Sequence, residues 1–235
     1  MLTSKKRLIL AFLLLLSPAG AGFAQLSVKG GIAASGFRFS PDDAATSQEI
    51  DFRPFLGYEV SWVQYGTSNP HIGFQLGVSY GARLSGNLSV QPELHFAQRG
   101  YRFDEIKLYN TSYQLKVHYL QIPLLLKYAL PFDWVMRPGL LLGPYVSFRV
   151  SASRTIEIWG KRDTRSVSAV NSLDYGLVCA VDGEFSAWSQ MVGVELRFDL
   201  GLARALSQPQ EYTVLNENPG TVRVLALSAL LCYQF

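Results

Sequence analysis

The chain has 235 residues, half of them hydrophobic (49%) and only 17% charged, with two cysteines. Lys5, Lys6 and Arg7 carry the whole of the +3 formal charge, so 18 of the 21 basic residues remain beyond them to face 18 acidic ones. That balance leaves no basic stripe for nucleic acid, and no CxxC or CxxH spacing suggests a zinc site.

The first element is an export signal. Lys5, Lys6 and Arg7 precede an apolar run from Leu8 to Leu16, a helix-breaking Ser17-Pro18 pair and the small residues Ala19 to Ala24. This pattern reads as a secretory signal peptide over residues 1–24, cleaved after Ala24. The run is too short to span a bilayer, which takes about 20 apolar residues. Residues 25–235 are expected to form one domain. The longest later apolar run, Ile122 to Leu130, is broken by Pro123 and Lys127. A membrane protein without spanning helices must be a closed barrel, because hydrocarbon offers no partner to an open sheet edge.

The strands follow by alternation. Leu26 to Phe37 alternates Val28, Gly30, Ile32 and Ala34 against Lys29, Gly31, Ala33 and Ser35. Ile72 to Arg83 sets Phe74, Leu76 and Val78 outward and Gln75, Gly77 and Ser79 inward. After the short turn at 84–87, Leu88 to Tyr101 sends Val90, Pro92, Leu94 and Phe96 out and Glu93, His95 and Arg99 in. Tyr113 to Ala129 exceeds the roughly 9–11 residues a tilted strand needs to cross. Its polar Gln114, Lys116 and His118 share the phase of Leu120, which implies a bulge or an exit from the membrane near Tyr119. Trp134 to Val150, Leu173 to Phe185 and Val192 to Ala203 continue the pattern. Arg223 to Phe235 completes it, with Leu225, Leu227, Leu231, Tyr233 and Phe235 on one face. Alternation puts Cys179 and Cys232 on opposite faces, against a disulfide. Pro92 and Pro123 each remove a ladder donor.

These strands make eight. A ninth candidate, Phe52 to Gln64, also alternates, but single-chain bacterial barrels have an even strand number. It is assigned to a long extracellular excursion over 38–71. A ten-stranded barrel recruiting Ser166 to Val170 is the alternative. The expected fold is therefore an all-β, transmembrane, antiparallel up-and-down barrel of eight strands. The links at 84–87, 130–133 and 186–191 are short, whereas 38–71, 104–112, 151–172 and 206–221 are long and polar. Short turns lie on the periplasmic side in outer-membrane barrels, which puts both termini in the periplasm. Trp134, Trp188, Tyr233 and Phe235 fall at that side and suit an aromatic girdle. The partners then expected are outer-membrane lipid and, with Phe235 as terminal recognition residue, the barrel-assembly machinery.

An eight-stranded barrel has an interior that side chains just fill. The inward positions include Lys29, Arg83, Arg99, Lys127, Arg137, Arg149 and Arg197 against Glu93, Asp174, Asp182, Glu184, Glu195 and Asp199. Seven cations facing six anions imply an ion-pair network that plugs the lumen, since isolated charges there are costly. His95 shares a face with Glu93, a pair that suits a general base, but no GxSxG nucleophile motif accompanies it. The reading is of a non-enzymatic protein without a cofactor. The loops add acidic and aromatic residues in 38–71 and Arg154, Lys161, Arg162 and Arg165 in 151–172, a surface for a partner protein.

The blocks LSVKGGIAASG, NLSVQPELHFAQRGY, HYLQIPLLLKYAL, RPGLLLGPYVSF, SLDYGL and GVELRFDLGLARAL together resemble the PorT-like outer-membrane β-barrel family of the Bacteroidota. The resemblance runs from about Leu26 to Phe235 and is strongest over Pro92 to Tyr101 and Tyr119 to Tyr145. It implies an eight-stranded barrel in the outer membrane of a Gram-negative bacterium and does not imply an enzymatic mechanism. The namesake acts in secretion. This chain departs from the family in its longer first excursion and in Cys179, where a glycine is common. Three functions are carried forward: an accessory or structural barrel with a plugged lumen, a small-solute channel of the porin kind, and a lumenal hydrolase at His95 and Glu93.

Overall fold

The computed structural model describes residues 25–38, 69–106, 111–132, 135–158, 160–168, 170–187, 190–203, 205 and 223–235. The expected signal peptide, the strand candidate Phe52 to Gln64, Trp134 and Trp188 lie outside the described residues.

Nine strands form in chain order: β1 (Gln25–Arg38), β2 (Asn69–Ser85), β3 (Leu88–Ile106), β4 (Thr111–Ala129), β5 (Arg137–Ile158), β6 (Lys161–Ser166), β7 (Leu173–Ala187), β8 (Gln190–Gly201) and β9 (Arg223–Gln234). Eight of them close an antiparallel ring in the order β1, β2, β3, β4, β5, β7, β8, β9. The ring shuts where β9 pairs with β1, from Ser27↔Gln234 to Arg38↔Arg223. No sheet edge is left around the ring, as spanning hydrocarbon demands. β6 stands outside it and pairs only with the far half of β5, Ser153 to Ile158.

Alternation decides which side chains meet which medium. In β9, Leu227 and Leu231 are 58% and 65% exposed, whereas Ser228 and Leu230 between them are each 1% exposed. Leu76, Leu124, Leu142, Leu177 and Leu196 extend the exposed apolar surface around the ring. In water each would forgo about 1.5–3 kcal/mol of burial, so this band belongs against lipid. Cys179 lies on the outer face and Cys232 on the inner.

Pro92, Pro123 and Pro144 are accommodated inside the ring. The ladder skips beside each of them, between Ser79↔Glu93 and Ala82↔Val90, between Pro92↔Leu124 and His95↔Gln121, and between Pro123↔Tyr145 and Leu126↔Leu142. Ladder gaps therefore gather on the β2 to β5 side, while β7, β8, β9 and β1 pair without interruption.

Two sequence expectations need correction. Most of the stretch 151–172 is strand and not loop. β5 runs for 22 residues to Ile158, turns at Gly160 (φ +77°) and returns as β6, a hairpin standing beyond the band. β3 and β4 likewise absorb most of 104–112, ending and starting at Ile106 and Thr111. The irregularity near Tyr119 is real, but it sits in β5. Pairing passes from His118↔Ser151 to Tyr119↔Arg149, leaving Val150 as the extra residue. β4 keeps its phase, with Leu115, Val117, Tyr119 and Gln121 all buried. β5 inverts instead, burying Tyr145 and Ser147 before the bulge and Ala152 and Ile156 after it. Gln114, Lys116 and His118 are thus outward residues of a strand that has left the lipid.

The end of the ring opposite the termini is closed by chain. Val167 and Val170 are buried, the Val167 amide donates to Ala152 O at 3.0 Å, and the Asn171 amide donates to Ala205 O at 2.9 Å. Leu115, Val117 and Ile156 are buried with them.

Candidate functional site

The inner face of β1, β3 and β8 carries the charges. Lys29 Nζ donates to Glu93 Oε1 at 2.6 Å and to Glu195 Oε2 at 2.5 Å. Arg197 answers from β8, donating from Nε to Glu195 Oε1 at 2.7 Å and from Nη2 to Glu93 Oε2. Two cations thus share two carboxylates. Gln91 Nε2 adds a bond to Glu93 Oε1 at 2.7 Å. Arg197 and Glu195 have no exposed surface and Lys29 and Glu93 only 3% each, so none of these charges reaches bulk water.

His95 belongs to the same cluster. Its ring lies over Gly77, where a Cβ would come 2.4 Å from Nδ1, so only glycine leaves room for it. Its proton is fixed by its neighbours. Gln75 Oε1 already accepts from Arg99 (3.0 Å) and Ser228 (3.1 Å), which turns Gln75 Nε2 toward His95 Nδ1 at 3.2 Å. Nδ1 is therefore the acceptor, and Nε2–H donates to Glu93 Oε2 at 2.9 Å. Both imidazole nitrogens are engaged. Arg99 continues the network through an ion pair with Asp199 and a bond to Ser228 Oγ at 3.3 Å, and Gln121 Nε2 reaches Asp199 at 3.4 Å.

Two smaller groups stand apart. Toward the termini, Lys127 pairs with Asp182 at 2.5 Å and with Glu184, which also accepts from Gln234 at 2.7 Å. Farther up, the Tyr145 hydroxyl donates to Asp174 at 2.9 Å. Beside them the lumen wall is apolar, formed by Leu125, Leu141, Val178 and Ala180.

Three expected members are elsewhere. Arg83 and Arg137 are exposed at the strand ends near the turns, where long cationic side chains swing out to water. Arg149 is half-buried and donates to the carbonyls of Val167 and Ser168, at 3.2 and 3.1 Å, so it holds the closing segment instead of an acid. The inner set is consequently four cations, Lys29, Arg99, Lys127 and Arg197, against six carboxylates, and is acidic where the sequence implied balance. Asp174 Oδ1, Asp182 Oδ1, Asp199 Oδ1 and Gln121 Oε1 have no protein partner. Gln75, Ser228 and Tyr145 are network members that reasoning on charge alone passes over, although their inward phase marks them. Tyr233 and Phe235 stack edge to face, with centroids 5.0 Å apart, on the outer side of the terminal end.

No group of three or more metal-ligating side chains occurs among the described residues. Residues 17–207 match the family described as "Outer membrane protein beta-barrel domain". The chain belongs to this family. As a member of the outer-membrane β-barrel domain family it is an outer-membrane protein, and its ring of eight strands is the domain that gives the family its name. Among solved structures it is similar to Ail, the attachment invasion locus protein of Yersinia pestis, at 14% identity over 91% of this chain and 100% of that one, with a TM-score of 0.39. OprG of Pseudomonas aeruginosa is similar at 14% identity over 92% and 98% of the two chains, with a TM-score of 0.44. The outer membrane protease OmpT of Escherichia coli is similar at 10% identity over 93% and 100%, with a TM-score of 0.40. No curated protein matches the sequence.

Proposed function

We propose that this chain is a plugged, non-enzymatic outer-membrane barrel that serves as an accessory or structural subunit and holds a partner protein at the end opposite its termini. The observation that carries this reading is the cluster of Lys29, Glu93, Glu195 and Arg197, which ties β1, β3 and β8 together across the lumen. A solute path would have to part buried ion pairs, and breaking one such pair costs about 3–5 kcal/mol. The catalytic candidate His95 has no free nitrogen, because both are bonded, and the Ser79 hydroxyl is paired with Ser27 at 2.6 Å. Both termini face the periplasm in this reading, since they share an end with the short turns. The PorT-like resemblance favours a secretion-related partner.

A narrow cation path is the second reading, favoured by the acid-rich inner set and its partnerless carboxylate oxygens. Conductance separates the two. Purified protein in a planar bilayer is expected to be silent, and steady cation-selective steps would replace the plugged barrel with the channel. The accessory role is tested by affinity purification from solubilised outer membranes, with and without residues 45–66. A protein that co-purifies only with the intact chain supports it, and a barrel isolated alone in both cases removes it.

A further inference from the structure

Beyond the cluster of Lys29 and Arg197, on the side away from the termini, the lumen holds a second polar group whose bonds do not balance. The register sets Gln121, Ser147 and Asp174 side by side on the inner faces of β4, β5 and β7. Asp199 meets them from β8, where its Oδ2 accepts from Gln121 Nε2 at 3.4 Å and pairs with Arg99. Asp174 feels the charges of both Asp199 and Arg99, so the three ionised groups share one space. Gln121, Asp174 and Asp199 are 2%, 5% and 3% exposed, out of reach of bulk water.

The donors bonded to this group are already engaged. The Tyr145 hydroxyl is given to Asp174 Oδ2, the Tyr175 amide reaches the same carboxylate, and the Arg99 guanidinium is divided among Asp199, Gln75 and Ser228. Three acceptors are left over. Asp174 Oδ1, Asp199 Oδ1 and Gln121 Oε1 have no partner among the described residues. Turning the Gln121 amide does not relieve them, because the flip would aim Oε1 at the Asp199 carboxylate.

Charge is unmatched as well. Two carboxylates face Arg99 alone, for Asp174 is bonded by neutral groups, and Arg149, the next cation outward, bonds the carbonyls of Val167 and Ser168. Buried oxygens without donors point to a water or an ion held between them. Water would satisfy the oxygens and leave the surplus negative charge buried, whereas a cation answers both. Carboxylate and amide carbonyl oxygens are the ligands that hard cations take, and one surplus negative charge is met by a monovalent ion.

We infer that Asp174, Asp199 and Gln121 hold a monovalent metal cation of the sodium type in the lumen, between the ion cluster and the segment that closes the far end. Tyr145 and Arg99 position the two carboxylates by holding the opposite oxygen of each. A plugged barrel and a conducting one can hold this ion alike, so the outcome below leaves the function proposed above untouched.

Refolding admits the ion whatever the access to the closed lumen. The full chain is taken through urea unfolding and refolding in phosphatidylcholine vesicles at constant pH, with sodium chloride replacing N-methylglucamine chloride at constant ionic strength. A ligand of the folded state alone raises the midpoint with its concentration. The midpoint is expected to rise saturably with sodium in the parent and in Asp182→Asn, which alters the separate Lys127 group. Asp174→Asn, which keeps the shape and removes the surplus charge, should lose the response. Where that variant does not fold, Gln121→Met decides: it removes one ligand oxygen and should demand at least about tenfold more sodium for the same rise. Identical midpoints in the two salts, a full sodium response in Asp174→Asn or Gln121→Met, or a response abolished by Asp182→Asn would overturn the site. So would calcium chloride acting at far lower concentration than sodium, or a midpoint that follows pH alone, since a proton shared by the two carboxylates would then fill the gap.

Discussion

Arg197 is a charge with nowhere to go. It is wholly buried, it bonds both Glu93 and Glu195, and among the described residues the other cation that touches both is Lys29. Replacing it by methionine leaves two buried carboxylates sharing one ammonium. The expected loss is about 3–5 kcal/mol, read as a lower urea midpoint for unfolding from lipid bilayers. Replacing Lys29, Glu93, Glu195 and Arg197 together by apolar residues of similar volume should cost far less, because no unpaired charge remains. A single Arg197→Met variant that unfolds at the wild-type midpoint would contradict the dry, shared geometry described for this group. The residues of this cluster were visible in the sequence because each falls on an inward position. Arg83, Arg137 and Arg149 were misread for the same reason. Phase says which way a Cα–Cβ bond points, but a long arginine side chain near a strand end reaches water or a carbonyl regardless.

At the scale of the element, β4 and β5 divide what alternation can and cannot reveal. Gln114, Lys116 and His118 announce a change near Tyr119, and two causes fit that pattern: a bulge that flips the strand, or a strand that leaves the lipid. Only the neighbour distinguishes them. β4 keeps its phase and exits, while the extra residue is Val150 on β5, where Arg149 and Ser151 give no period-two signal of their own. Deleting Val150 should therefore remove the bulge and leave Ala152 and Ile156 facing inward, because Ser151 then follows Arg149 directly and still meets His118. Cysteine scanning with a water-soluble maleimide checks this. Position 156 should be protected in the parent and in the deletion variant alike, and labelling in the deletion variant would mean that the strand beyond the bulge has slipped by one residue. The β5–β6 hairpin was missed for a related reason. Its returning arm from Lys161 to Ser166 is polar on both faces, so it resembles a loop by composition and becomes a strand only because β5 already extends beside it.

The whole molecule is asymmetric along its axis. The terminal end has tight turns, such as the one at Gly86 (φ +48°), while β3, β4 and β5, with 19, 19 and 22 residues, run past the band at the other end. If that long end faces the medium, a membrane-impermeant maleimide should label Arg162→Cys on intact cells, with native Cys179 in lipid and Cys232 buried serving as silent backgrounds. Labelling only after the outer membrane is broken would invert the orientation. The eight-strand ring was readable from the even spacing of alternating segments. What the segments could not reveal was the unequal ladder, since gaps beside Pro92, Pro123 and Pro144 depend on which strands become neighbours.

The closing pair of strands is made from the two ends of the described chain, Gln25–Arg38 and Arg223–Gln234. Nearly the whole sequence must be in place before that seam can zip, and such distant contacts are slow to form. Lys29 sits on one lip of the seam, and its two carboxylates arrive from 64 and 166 residues away. Before closure all three charges face an unfinished interior; afterwards they are neutralised together. The ion cluster thus acts as a clasp, turning the last step of assembly into the one that is hardest to reverse, and an unzipped ring is penalised electrostatically as well as by its bare edges.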